Sequence, residues 1–449
     1  MKQQYPQHTQ NHNDRLNVLV CAYACSPLYG SEEGVGWNIV SRLGAYHNIT
    51  VLYGDCGGSN KRTSDLQRWF IDNGPVDAVE FCYVAPSRIG KFLLSVAHYG
   101  MKLFPPLVFI YYLSYRSWLR EAYKKAVQLH AEHPFDITHQ LTYISYREPG
   151  FLWKLPVPFV WGPIAGAVNV PWKFFGCFSP AGMLRLAFRN VFNHLQIRGN
   201  RYICQAVRKS SLIWAVGEDE LRMATGRWHA NAELMPETGT SPSGANLRNR
   251  AYDYNARLSL LWSGTHEGAK ALPLLLRALA QIKEKHRVRL TVLGDGPEHK
   301  IWRRLAERLQ IHDMLSWTGL LSHVDAKLHM LSADIFVFTS LKEATSTVVM
   351  EALAGGLPVI CHDACGMAEV IDETCGIKIP MESPRKSVDG FRDAIQFFLD
   401  NPSRIQTLSK GACARATSLS WDSKVERIAG TYRRVTHQAG FKPLLPLKH

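Results

Sequence analysis

Apolar residues along this chain fall into short runs separated by longer amphipathic stretches. Leu16 to Cys25 (LNVLVCAYAC), Asn48 to Gly54 and Val79 to Pro86 each read as a strand: four to eight β-formers without helical period. Ile137 to Leu141, Pro158 to Pro163 and Leu212 to Glu218 continue the series, and the last of these closes the first half. Strands alternating with helical segments predict a parallel, doubly wound α/β sheet. A polar, turn-rich stretch, Thr238 to Asn255, then interrupts the pattern and reads as a linker.

The pattern restarts after it. LSLLWSG predicts a strand, ALPLLLRALAQIKEK a helix and VRLTVLGDGP a strand with its turn. A helix through Leu309, MLSWTG, a helix around AKLHMLSA, the strand ADIFVFTS (Ala333 to Ser340) and LPVICHD follow. Two Rossmann-like domains are expected, residues 16–240 and 257–420. A tail at 1–15 lacks order-forming residues, a linker spans 241–256, and a helix in 421–449 crosses back to the first domain. With 449 residues the chain has ample length for two cores.

SLKEATSTVVMEALAGGLPVI, Ser340 to Ile360, carries the most chemistry. A strand, a short polar loop and a helix closed by Gly355-Gly356 make an anion site, because unpaired helix N–H groups and the helix dipole favour phosphate. Glu343 sits in the loop, and Glu351 is expected about two turns into the helix. Two carboxylates repel phosphate, so they suit hydroxyls, as a sugar and a ribose offer. The bland alternative is a surface helix with two solvated carboxylates.

This segment resembles the E-x7-E element of retaining glycosyltransferases of family 4, which have the GT-B fold of two Rossmann-like parallel-sheet domains facing across a cleft. The resemblance implies that Glu343 contacts the donor sugar, that Glu351 binds the ribose, and that backbone amides of Ala344, Thr345, Ser346 and Thr347 hold the diphosphate. In the family an Arg and a Lys following an earlier strand clamp that diphosphate. Here the strand leads into SGTHEGAK: Lys270 fits the Lys, but Thr265 or His266 stands where the Arg belongs, after Gly264. Neither reproduces a bidentate Arg–phosphate contact, and His266 carries charge only if protonated.

Other matches are looser. Gly294-Asp295-Gly296-Pro297 resembles the turn that shapes the nucleotide cleft, and Trp317-Thr318-Gly319-Leu320 the segment whose backbone meets the base. Gly30 to Gly36, with Gly34 central, resembles the flexible loop near donor phosphates and acceptor. It is no dinucleotide fingerprint, since its spacing is wrong and its two Glu repel a pyrophosphate. His139 resembles a family His near the transferred sugar; a satisfied core histidine is the competing reading. Cys365-Gly366-Met367 and Glu369 match a structural turn.

Charge changes the picture in one region. The formal net charge is +14, and Ala85 to Lys209 holds sixteen Lys and Arg against four Asp and Glu. Phe92 to Tyr115 is apolar and aromatic, but Lys102, His98 and Pro105-Pro106 break it, so it does not span a bilayer. Two readings fit: paired helices on an anionic membrane surface, or packing inside the first domain with a solvated basic face. Nothing resembling a zinc finger or RNA-binding signature supports nucleic acid as a partner. Ten Cys without a regular framework suit a reducing, cytoplasmic setting, and Cys361, His362, Asp363 and Cys365 match no zinc spacing.

The expectation is therefore a retaining hexosyltransferase with catalytic His139, Lys270 and Glu343. It takes a nucleoside-diphosphate sugar as co-substrate, needs no other cofactor and no metal, and acts on a glycan or lipid-linked acceptor in cell-surface glycan or exopolysaccharide assembly. The alternatives are a silent GT-B partner subunit, which the missing Arg motivates, and a sugar-nucleotide epimerase; a phosphorylase lacks its pyridoxal-phosphate lysine signature here.

Overall fold

The computed structural model describes residues 15–55, 60–103, 108–241 and 257–440. The expected tail apart from Arg15, most of the expected linker and Pro105-Pro106 lie outside them. The chain forms two compact units. One comprises Met1–Ala167, Gln196–Glu237 and Trp421–His449; the other comprises Val168–Leu195 and Thr238–Ser420.

The first unit is built on a seven-stranded sheet. Its strands are β1 (Asn17–Cys21), β2 (Asn48–Tyr53), β3 (Val79–Tyr83), β4 (Ile137–Gln140), β5 (Phe159–Ile164), β6 (Leu212–Ala215) and β7 (Ala232–Leu234). Their order is β3-β2-β1-β4-β5-β6-β7, with every pairing parallel. β1, β4 and β6 are almost wholly buried runs, as a sheet covered on both faces requires. The chain enters β7 after β6, so Leu212 to Glu218 is not the last strand of this half.

The second unit holds β8 (Leu258–Ser263), β9 (Val288–Leu293), β10 (Leu315–Gly319), β11 (Ile335–Phe338), β12 (Val359–His362) and β13 (Gly376–Ile379). Their order is β10-β9-β8-β11-β12-β13, again all parallel. In each sheet the order reverses at one place, between β1 and β4 and between β8 and β11. Ligands of open α/β sheets bind beyond the carboxyl ends of strands at such switch points.

One segment sits elsewhere than the sequence division expects, and the C-terminal helix sits where it was expected. Val168–Leu195 packs with the second unit, where Val170 and Phe174 join the core of Leu272, Leu275 and Phe391. The helix Trp421–Gln438 belongs to the first unit and buries Trp421, Val425, Ile428, Tyr432 and Val435 against that sheet. Arg42 and Asp422 pair at its start, 3.0 Å apart. At about 25 cal/mol per Å² of apolar surface, each fully buried side chain of this kind contributes roughly 1.5–3 kcal/mol.

Among the described residues, no helix is long and apolar enough to cross a membrane. The apolar, basic stretch forms two helices, Arg88–Leu103 and Val108–Glu132. They leave Ile89, Phe92, Phe109 and Leu113 exposed.

Candidate functional site

Loops follow the carboxyl ends of the second sheet's strands, and small residues let several of them meet. Gly294 has φ +108°, and a side chain there would stand 2.2 Å from the Gly264 carbonyl oxygen. Gly264 N–H donates to the Leu293 carbonyl, and Gly294 N–H to that of Gly319. The GDGP turn is thus the point where the ends of β8, β9 and β10 are tied together, which only glycine permits.

At the switch point itself, the loops after β8 and β11 are stitched together. Leu341 N–H donates to the Ala269 carbonyl at 2.9 Å, and the Thr339 hydroxyl donates to the Lys270 carbonyl at 2.6 Å. The Trp262 indole N–H in turn donates to Thr339 Oγ1 at 3.0 Å. This scaffold brings Lys270 Nζ onto Glu343 Oε2, with both side chains about a quarter exposed. The Ser340 hydroxyl also points at Glu343 Oε2, 3.5 Å away.

The helix Thr347–Ala354 starts beside this pair without a side-chain cap at Ser346. The loop before it is shaped by Gly366, where a Cβ would fall 1.8 Å from the Ala344 carbonyl oxygen. Cys365, at φ +57°, makes the turn that permits the approach. The matching Cys-Gly-Met turn therefore holds the Ala344–Thr345 backbone in place.

Glu351 lies a little over one turn into the helix, not the two turns expected, since the helix begins at Thr347. Its Oε1 lies 3.0 Å from His323 Nε2. Thr318 is half-buried, and Leu320 is exposed at the end of β10. Lys270, Glu343 and the Ala344–Thr347 backbone thus meet, with Glu351 farther along the same helix.

Two expected residues do other work. His266 cannot stand in for the missing Arg. Its side chain is fully buried, 5.0 Å centroid-to-centroid from Trp302 and 5.7 Å from Trp262. Burial and the neighbouring His299 push its pKa down to about 4, against a weaker upward pull from Asp295, so it is neutral near pH 7. Thr265 occupies the exposed loop position and carries no charge.

His139 is likewise a core histidine. Its Nδ1 lies 2.6 Å from the Tyr432 hydroxyl and its Nε2 2.7 Å from the Gly162 carbonyl oxygen, which fixes the proton on Nε2. Burial pushes its pKa down to about 4, opposed by the Gly162 bond. Fully buried and with both nitrogens satisfied, it has no free atom for a sugar. Cys361 and His362 are buried too, with His362 bonded to the Ser340 carbonyl and the Ser387 hydroxyl.

The first sheet's switch point holds a group that sequence reasoning passed over. The Gly30–Gly36 segment, expected as a loop, is instead the start of the helix Ser31–Leu43; Glu32, in its first turn, accepts a hydrogen bond from Ile144 N–H at 3.1 Å, joining that helix start to the loop after β4. Burial pushes its pKa up to about 7; the Ile144 bond opposes this and the adjacent Glu33 adds to it. Tyr143, next to Ile144, has φ +64°, a costly conformation for an aromatic residue and one that clusters at functional sites. The signal available was the Gly30–Gly36 stretch itself, whose carboxylates were weighed only for repelling a pyrophosphate. Gly34 is needed there, because a Cβ would lie 2.9 Å from the Tyr29 carbonyl oxygen.

Comparison with known proteins bears on the fold and on the second unit's sequence. Alpha-D-kanosaminyltransferase of Streptomyces kanamyceticus is 25% identical over 245 residues, 51% of this chain and 62% of the relative. The chain spans between 21% and 62% of the length of the first curated relatives it matches. Among solved structures, the lipopolysaccharide outer core galactosyltransferase WaaB superposes with a TM-score of 0.61 at 12% identity, covering 95% of this chain and 100% of that one. Anabaena HepE, solved with UDP, gives 0.53 at 15% identity over 93% and 99% of the chains. These likenesses establish a GT-B fold. Residues 254–414 match the family described as glycosyl transferases group 1.

Proposed function

We propose that the protein is a retaining glycosyltransferase that moves a hexosyl group from a nucleoside-diphosphate sugar to a hydroxyl of a glycan or lipid-linked acceptor. The observation that carries this reading is the Lys270–Glu343 pair beside the uncapped start of the Thr347–Ala354 helix, at the second sheet's switch point. Helix N–H groups and the Lys270 ammonium favour the donor's diphosphate, and Glu343 accepts hydrogen bonds from the sugar. Glu351 accepts from the ribose hydroxyls.

In the front-face course implied by family resemblance, the acceptor oxygen bonds to the anomeric carbon on the face that the diphosphate leaves. The carbon–oxygen bond to phosphate breaks, and the acceptor proton passes to the departing phosphate oxygen. Lys270 and the helix N-terminus lower the barrier by neutralising charge as it develops on that oxygen. No protein nucleophile enters this scheme.

Cell-surface glycan assembly on the cytoplasmic face of a membrane is the setting we infer. Exposed Ile89, Phe92, Phe109 and Leu113 stand among Arg88 and Lys91, a combination suited to anionic headgroups. Cosedimentation with anionic, but not neutral, vesicles tests this; equal recovery on both sinks it.

One observation favours a second reading, a silent partner subunit. The second cation of the diphosphate clamp is missing, because Thr265 is uncharged and His266 is buried and neutral. Calorimetry with UDP-, GDP- and ADP-sugars separates the two. Saturable binding of one donor, weakened by Lys270→Ala and by Glu351→Ala, supports the transferase. A folded protein that binds none of them supports the silent subunit.

A further inference from the structure

His266, Asp295 and His299 converge within the second unit. His266 Nδ1 lies 3.0 Å from His299 Nδ1, and His299 Nδ1 lies 3.4 Å from Asp295 Oδ1. All three donor atoms fall within 4.8 Å of one another. The two imidazoles are nearly parallel, 3° apart, with their Nδ1 atoms turned toward each other. The family resemblance gives neither histidine a partner of this kind.

The frame that holds them is rigid. His266 N–H donates to the Asp295 carbonyl at 3.0 Å, and Glu298 N–H donates to the His266 carbonyl at 2.9 Å. A Cβ on Gly296 would lie 2.8 Å from both His266 backbone atoms, so the two loops are packed as closely as backbone allows. Trp262, Trp302 and Trp317 wall the rings with centroid distances of 5.0–5.8 Å. An apolar wall around fixed ligands strengthens coordination and limits the geometries on offer.

We propose that His266 Nδ1, His299 Nδ1 and the Asp295 carboxylate bind one divalent transition-metal ion of the zinc class. Four-coordinate bonds of about 2.0–2.2 Å put neighbouring donors about 3.3–3.6 Å apart, and the observed 3.0 and 3.4 Å separations need little adjustment to meet that. Two imidazoles with one carboxylate select zinc, cobalt or nickel over magnesium and calcium, which prefer oxygen donors throughout. Without metal the two Nδ1 atoms share one proton; with metal, each ring carries its proton on Nε2 and turns its Nδ1 lone pair to the ion. Asp295 and His299 reach the surface, which gives the ion an entry path and leaves its fourth position to water.

The site has a consequence for the neighbouring loop. It adjoins Thr265, the exposed position that lacks the family's Arg, so a bound ion restores positive charge there. The binding itself does not depend on the proposed transfer reaction.

The test uses the tag-free full chain, stripped with chelator and titrated with Zn²⁺ by calorimetry and with Co²⁺ by visible absorption. One equivalent should bind, giving a nitrogen- and oxygen-ligated cobalt spectrum without a thiolate charge-transfer band. His299→Ala and Asp295→Asn should each weaken binding about tenfold or more. Both residues reach the surface, so these variants should keep the wild-type fold, checked by circular dichroism. The absence of one-equivalent binding, undiminished binding in both variants, or a thiolate band that assigns the ion to cysteine overturns the proposal.

Discussion

Lys270 is held by Glu343. Its ammonium rests on the Glu343 carboxylate, and its stem places Nζ 5.7 Å from the Phe338 ring centroid. A donor diphosphate must therefore compete with a carboxylate for the lysine. Removing the lysine should cost one charge-assisted contact, about 1.5–3 kcal/mol, or roughly ten- to a hundred-fold in UDP affinity. Glu343→Gln should act oppositely on UDP, which has no sugar for Glu343 to hold: the lysine is freed and a repulsive charge removed. Calorimetry should find tighter UDP binding in Glu343→Gln alongside slower transfer from the UDP-sugar. Weaker UDP binding in that variant would show that the pair does not compete with phosphate.

Gly366 offers a test of the loop's shape without touching a polar group. Its own φ is −65°, so alanine is conformationally acceptable there. The cost comes from contact, because the new Cβ would meet the Ala344 carbonyl oxygen at 1.8 Å. The Ala344–Thr345 backbone must move, at about 1–3 kcal/mol for overpacking. Gly366→Ala should lower Tm by several degrees and weaken UDP binding together. An unchanged affinity in a destabilised protein would separate that backbone from the diphosphate.

Glu351 is occupied by His323 at 3.0 Å in this structure. A ribose hydroxyl replaces that partner in the proposed complex. Glu351→Ala should reduce UDP affinity about tenfold, in the range for a hydrogen bond to a charged group. The same substitution should leave the affinity for 2′,3′-dideoxy-UDP nearly unchanged, since that ligand has no hydroxyl to lose. Equal losses for both ligands would place Glu351 away from the ribose.

Why some of this was legible in the sequence, and some not, follows from how local each determinant is. β8 and β11 are short apolar runs and were readable as such. β7 and β13 were missed because they are edge strands of three and four residues, with at least half of their positions only partly buried. The Glu343-to-Glu351 loop was readable because strand, loop and helix are contiguous. The placement of Val168–Leu195 was not, since it rests on Phe174 entering a core formed by residues a hundred positions away. His139 and His266 look like site residues in one dimension. Only tertiary burial, with Tyr432 and Gly162 around one and three tryptophans around the other, makes them interior groups.

Glu32 gives the structure a pH dependence with a definite sign. Its pKa rises from the ordinary 4.5 to about 7 on folding, chiefly through burial. Between those values the folded protein binds more protons than the unfolded chain, so stability falls as pH rises through that window. The contribution is fully present below pH 4.5 and lost above about pH 7. At 1.36 kcal/mol per unit its ceiling is about 3 kcal/mol, and partial exposure of the side chain reduces that. Glu32→Gln keeps an acceptor for Ile144 N–H but cannot ionise. Its stability relative to wild type should therefore rise between pH 5 and pH 8, read from urea midpoints at each pH. A constant difference across that range would mean that Glu32 titrates like an ordinary exposed carboxylate, and that the helix start at the first sheet's switch point holds it in water.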